Sequence, residues 1–171
     1  MTVTVGVSIA VPEPFGELLR DRRRSFGDTM ADRIPTHITL APPLLVEEPG
    51  EIEAFAADLA ELTEVYEPFT VSLLGTGTFR PISPVVFIAV SEGIAQIEVL
   101  AEGVRKAIGA PESEFPFHPH VTVAHNLEDA ALDRAMTELR DFRASFVVDA
   151  IHLYVDDAER GWVPTHRFGL G

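Results

Sequence analysis

Pro35-Thr36-His37-Ile38-Thr39-Leu40 has an echo about half the chain later in Pro119-His120-Val121-Thr122-Val123, with the two histidines 83 positions apart. Side chains at i and i+2 of a strand share a face, so His37 and Thr39 project together, as do His120 and Thr122. Ile38, Leu40, Val121 and Val123 then turn to the opposite face and anchor each strand in a core. A single His-x-Thr strand is common and usually means a half-buried histidine satisfied by a hydrogen bond. Two copies, each followed by an apolar residue and preceded by proline within two positions, point instead to a repeated unit and a pseudo-symmetric architecture. The simplest such arrangement is a two-lobed α+β fold whose polar His-x-Thr faces meet across a central cleft.

The rest of the chain supplies matching elements. Val3–Val11 reads as a strand ended by Pro12 and Pro14, and residues 13–26 as a helix. Thr36–Leu40 reads as a short strand stopped by Pro42 and Pro43. Residues 51–63 have helical spacing through Ile52, Phe55, Leu59 and Leu62. Phe69–Phe79 reads as a strand bulged near Gly75 and Gly77, Val85–Val90 as its buried partner, and Ile94–Ile108 as a helix. Val121–Ala124 is expected as a strand, Ala130–Phe142 as a helix, Phe146–Val155 as a single strand, and Trp162–Leu170 as a final extended stretch. The 171 residues suit one bilobal domain over 1–171, with no linker.

Composition narrows the chemistry. Hydrophobic residues make up 46% and charged residues 23%, as in folded globular chains. No window reaches about eighteen uninterrupted apolar residues and the first residues lack a signal-peptide pattern, so no membrane association and a cytoplasmic location are expected. There is no cysteine, which excludes disulfides, thiolate nucleophiles and cysteine-held metals. The net charge of −14, from 27 acidic and 13 basic residues, repels polyanions. The expected partner is a small phosphorylated nucleotide or an RNA end, not a long nucleic acid. Arg20, Arg22, Arg23, Arg24 and Arg33 form one basic cluster, read as a solvated helix end or loop.

Two opposed imidazoles suit in-line displacement at phosphorus, because one removes a proton from the entering oxygen while the other protonates the leaving oxygen. Their ordinary pKa of about 6.5 permits either role near neutrality. Thr39 and Thr122 can donate hydrogen bonds to non-bridging phosphoryl oxygens. No metal, cofactor or covalent intermediate is required.

At these residues the sequence resembles the two-histidine phosphoesterase superfamily, which includes bacterial 2′-5′ RNA ligase-like proteins and cyclic nucleotide phosphodiesterases. The resemblance covers nearly the whole chain. It implies two antiparallel sheets lining a cleft, with helices packed outside. It also implies hydrolysis or reversible formation of 2′,3′-cyclic or 2′-5′ phosphodiesters, with His37 and His120 as the acid/base pair and Thr39 and Thr122 as phosphate-binding hydroxyls. Five residues after the second histidine, where many RNA ligase-like members have arginine, this chain has His125. A titratable contact there weighs against RNA ligation more than against small-substrate phosphodiester chemistry.

Three further residues are candidates. Arg80, at the turn after Phe79, is placed to reach a cleft phosphate, and a solvated hairpin arginine is the alternative. His118 pairs with His120 at i, i+2 as zinc ligands would, but no acidic residue completes such a site, so it is read as a cleft-rim residue. His125 completes the set of substrate-contact candidates. Phe87 is read as core, Trp162 as a weak candidate for base stacking, Arg167 with the same status as Arg80, and His152, Tyr154 and His166 carry no assignment. Two other readings stay open: a module that binds phosphorylated ligands or RNA ends in the same cleft without turnover, and a metal-dependent hydrolase centred on His118 and His120.

Overall fold

The computed structural model describes residues 2–47 and 49–171. β1 (Val3–Ala10) is followed by α1 (Phe15–Ser25), which starts directly after Pro14. The Glu13 carboxylate accepts the Glu17 backbone N–H at 2.9 Å and so satisfies one of the free amides of the first helical turn. A 3-10 turn at Thr29–Asp32, capped by the Asp28 side chain, leads into β2 (His37–Val46). Next come α2 (Pro49–Thr63), β3 (Phe69–Thr78), β4 (Val85–Glu92), α3 (Ile94–Ile108), β5 (His120–His125) and α4 (Asp129–Glu138). The chain ends in β6 (Arg143–Val148), β7 (Ala150–Asp157) and β8 (Gly161–Gly169).

The strands form two four-stranded antiparallel sheets, ordered β2-β1-β7-β8 and β5-β4-β3-β6, so the class is α+β as the sequence implies. Each His-x-Thr strand is the edge of its sheet, and the two edges lie against each other. α2 and α3 pack together beside β2, and α4 packs on β3, β4 and β5. Ile38, Leu40, Val121 and Val123 are fully buried in a core that draws on both sheets. Burying each contributes about 1.5 to 3 kcal/mol, which fixes the strand register and leaves the polar faces no choice but the cleft. Among the described residues no helix is long and apolar enough to cross a membrane.

Several expectations change in detail. The two lobes are not the two halves of the chain: the first sheet takes β1 and β2 from one end and β7 and β8 from the other, while the second comes wholly from the middle. Phe146–Val155 is therefore two strands. Val148 pairs with Phe69 in one sheet, Ala150 pairs with Gly169 in the other, and Asp149 alone makes the crossing, its carbonyl accepting Leu170 N–H at 2.9 Å. The run FVVDAIHLYV carries neither glycine nor proline to mark that switch. Pro42 and Pro43 do not stop β2. Val5 pairs with Leu44 and Val7 with Ala41, so Gly6 alone faces both prolines across a bulge, and an outer strand tolerates their missing donors. The expected bulge in β3 lies at Gly75, whose φ of 72° suits glycine. α4 is shorter than expected, and Phe142 belongs to the turn that enters β6.

Candidate active site

His37 and His120 are the first residues of β2 and β5, and their local settings mirror each other. In each neighbouring strand an alanine is the register partner: Ala10 for His37 and Ala89 for His120. Each ring is held by the backbone two residues upstream. His37 Nδ1 lies 2.7 Å from the Pro35 carbonyl oxygen and His120 Nδ1 lies 2.7 Å from the His118 carbonyl oxygen. A carbonyl only accepts, so Nδ1 carries the proton in both rings and Nε2 presents its lone pair. At His37 that lone pair accepts the Thr39 hydroxyl at 3.1 Å.

A cavity of about 320 Å³ is lined by His37, Thr39, Thr122 and His125 together with Arg23, Ser8, Tyr154 and Trp162. The Thr122 hydroxyl forms no hydrogen bond with the described residues, so it is available to a ligand. Trp162 packs against Gly6, where an added Cβ would fall 3.1 Å from the indole. Tyr154 is buried and its hydroxyl is pushed up to about 12 by that burial, so it remains a protonated donor.

His120 is not among the residues that line this cavity; its ring is packed in an aromatic wall. Phe79 meets it edge-on at 5.0 Å and 89°, and Phe87 lies 5.3 Å away. Phe87 is core-like, as expected, yet it also backs His118 at 5.1 Å. Gly77 makes room for it, since a Cβ there would fall 2.6 Å from Phe87 Cζ. Burial lowers the proton affinity of both histidines. At His37 the backbone bond to Pro35 partly offsets this, and the positive charges of Arg23 and His120 lower it further; at His120 the His118 bond partly offsets burial.

A family model described as the 2′-5′ RNA ligase superfamily matches residues 11–160. The chain belongs to this superfamily. A Bacillus cytotoxicus protein named as a phosphoesterase is 30% identical over 140 residues, covering 81% of this chain and 80% of the relative. Among solved structures, Escherichia coli LigT with bound ATP superposes with a TM-score of 0.71 at 21% identity, covering 99% of both chains. LigT with 3′-AMP gives 0.69 at 20% identity over the same share. A Thermus thermophilus protein gives 0.64 at 22% identity, covering 98% of this chain and 97% of its own. These likenesses are of fold.

In this superfamily member the sequence reading missed Arg23. It is 6% exposed, its Nε donates to Asp28 Oδ2 at 2.7 Å, and Asp28 is itself 3% exposed. The same carboxylate accepts the Met30 N–H at 3.0 Å and the His125 N–H at 3.0 Å, so it ties α1, the 3-10 turn and the end of β5 together. No other hydrogen bond to the described residues engages the Arg23 guanidinium, which leaves its terminal nitrogens to the cavity. Helical phase was the available signal: Gly16, Leu19 and Arg23 form the buried face of α1, while Arg22 and Arg24 form ion pairs at the surface with Glu138 and with Asp21 and Asp32.

Other expected contacts lie elsewhere. Arg80 does not reach this cavity. Its guanidinium is taken by Asp133 at 2.9 Å and Asp129 at 3.5 Å, because α4 begins just after β5 and turns those i, i+4 carboxylates toward it. His118 is exposed, its ring 6.0 Å from that of His120, and its carbonyl rather than its ring holds the catalytic candidate. His125 is exposed on the cavity's edge. Arg167 pairs with Asp149. Among the described residues no group of three or more His, Asp or Glu is arranged to hold a metal ion.

The lowered histidines set the sign of a pH effect. In the unfolded chain both titrate near 6.5, and in the fold both bind protons more weakly, so between the lowered value and about 6.5 the unfolded chain holds more protons. Stability therefore rises with pH through that window and is lost as pH falls below about 6.5, by at most about 1.4 kcal/mol per pH unit for each histidine. Urea unfolding between pH 5 and 8 checks this, with His37→Phe expected to flatten the slope; an unchanged slope would contradict it.

Proposed function

We propose that this cleft hydrolyses, or reversibly forms, 2′,3′-cyclic or 2′-5′ phosphodiester bonds of nucleotides or short RNA by general acid–base catalysis between His37 and His120. The observation that carries this reading is the mirrored pair of Nδ1 bonds to backbone carbonyls. It holds both imidazoles in one tautomer with Nε2 as the working nitrogen of each.

His37, the more buried ring and the one beside Arg23, is held neutral and acts as base, removing a proton from water through Nε2. His120, which takes up a second proton when the anionic phosphodiester binds, gives its Nε2–H to the leaving ribose oxygen. In the reverse direction the roles exchange. The Arg23 terminal nitrogens and the Thr122 hydroxyl meet the non-bridging oxygens, where charge grows in the transition state. Trp162 and Tyr154 offer an apolar wall for a base. The LigT structures contain 3′-AMP, ATP and NADP+, which supports a nucleotide ligand for a cleft built on the same fold.

This chemistry needs no metal, so turnover of a panel of 2′,3′-cyclic nucleotides and a 2′-5′-linked dinucleotide is expected to persist in excess chelator. Loss of turnover on chelation would favour the metal-dependent alternative at His118 and His120. One observation favours a second reading, a module that binds phosphorylated ligands or RNA ends without turnover: with both histidines' proton affinities lowered, the empty cleft holds a base but no acid. Bound nucleotide with no product after long incubation would select it.

A further inference from the structure

We propose that the cleft reads two phosphoryl groups of one nucleotide, the diester beside His37 and a second phosphate in an adjoining cavity governed by Arg20. This rests on the nucleotide phosphodiester reading above. The second cavity, of about 230 Å³, is lined by Arg20, His152, Tyr154, Glu13, Pro35 and Thr36 among others. Pro35 and Tyr154 line both cavities, which sets the second beside the catalytic cleft.

Two cations stand along it on one face of α1. Arg20 and Arg23 are three residues apart, which places side chains on neighbouring positions of a helix surface, with roughly 5 to 6 Å between Cβ atoms. Arg23 serves the first cavity and Arg20 the second. Arg23 has Asp28 as its counter-ion. Arg20 has no salt bridge and no hydrogen bond with the described residues, its charge reaching Asp32 without a direct contact, and its Nε is buried without a partner.

The facing donors are also unspent. His152 Nδ1 is buried without a partner. The Tyr154 hydroxyl, kept protonated by burial, forms no hydrogen bond with the described residues. Buried polar groups are nearly always paired, so a cavity lined by two unpaired buried nitrogens and a free hydroxyl, with a guanidinium beside them, calls for a polar ligand that can accept. Glu13 is the acid among the lining residues, and one of its two carboxylate oxygens is committed to the Glu17 N–H. Thr36 is committed as well, donating to the Gly16 carbonyl at 2.6 Å. A compact multi-acceptor anion on the same ligand, one helical turn from the first, fits what remains: a phosphate such as the 5′-phosphate of a cyclic nucleotide or the next phosphate of an oligonucleotide.

Calorimetric titration with adenosine 2′-monophosphate and adenosine 2′,5′-bisphosphate tests this without requiring turnover. The bisphosphate is expected to bind at least about tenfold more tightly. Arg20→Met brings the two ligands within about two-fold of each other, whereas Arg22→Met, at a residue paired with Glu138 on the surface, preserves the gap. Should Arg20→Met fail to fold, the 31P shift of the 5′-phosphate on wild-type protein decides the matter, a value equal to that of free nucleotide overturning the proposal. Equal affinities for wild type, or a gap that survives Arg20→Met, overturn the second subsite alone. Failure of the monophosphate to bind at all overturns the catalytic reading and this subsite together. A 2′-5′-linked trinucleotide without a terminal phosphate separates the sources: an Arg20-dependent gain over the corresponding dinucleotide assigns the cavity to the next phosphate of a chain, and equal affinities assign it to a terminal phosphate.

Discussion

His37→Ala and His120→Ala each lower kcat/KM on a 2′,3′-cyclic nucleotide by about 10²- to 10⁴-fold, the usual contribution of one positioned acid or base. The loss falls mainly on kcat, because the imidazoles contribute proton transfer while Arg23 and the Thr122 hydroxyl, still in place, hold the phosphoryl group. Both variants remain folded, since the residues that anchor β2 and β5 are Ile38, Leu40, Val121 and Val123 on the opposite face. The double variant is scarcely worse than either single one, as expected of groups that act as a unit on one proton inventory. Circular dichroism and thermal unfolding verify the fold, and steady-state kinetics in excess chelator read the loss. Wild-type turnover retained in both folded single variants would sink the two-histidine mechanism. The pH profile adds a second check. His37→Ala removes the basic group and with it the fall in kcat/KM on the acid side, while His120→Ala removes the fall on the alkaline side.

The fold was legible where a residue's chemistry and its periodicity agreed. In β2 and β5 the alternation of His-Thr with Ile-Leu and Val-Val states which face is core and which is cleft, and the structure buries those four apolar side chains fully. The bulge at Gly75 was legible for the same reason, because a glycine inside a strand pattern marks a backbone that leaves the regular ladder. Legibility failed where tertiary position decides. Pro42 and Pro43 read as strand-stopping, but β2 is an outer strand and tolerates them. Asp149 does not announce that the chain changes sheets. Arg80 read as a cleft cation until α4 placed Asp129 and Asp133 beside it. Arg23 was hidden among four neighbouring arginines that charge counting treats alike, and only the phase of α1 separates it. Trp162 stood alone in the sequence, and its place in the cavity depends on Gly6, distant in sequence but adjacent through β7.

Arg23 also carries the largest expected stability effect. Asp28→Ala leaves its guanidinium buried without a counter-ion and frees the Met30 and His125 N–H groups, so the protein is expected to lose about 3 to 5 kcal/mol by urea unfolding. The double replacement Arg23→Met/Asp28→Leu removes both charges together, and apolar side chains of similar volume refill the space. A buried pair replaced in that way usually costs little or even adds stability, so the double variant recovers the part of the loss due to the unpaired charge, while the Met30 and His125 N–H groups stay unpaired as in Asp28→Ala. Catalysis separates from stability at this point. If the pair existed only to hold α1 against β5, the recovered double variant would turn over substrate as wild type does. If Arg23 meets the phosphoryl oxygens, the same well-folded protein keeps a kcat/KM deficit of about 10²-fold or more, as expected for a lost charge-assisted contact in a water-poor site. The cost of burying an arginine in a chain of charge −14 is then explained by the anion it awaits rather than by the fold it helps to hold.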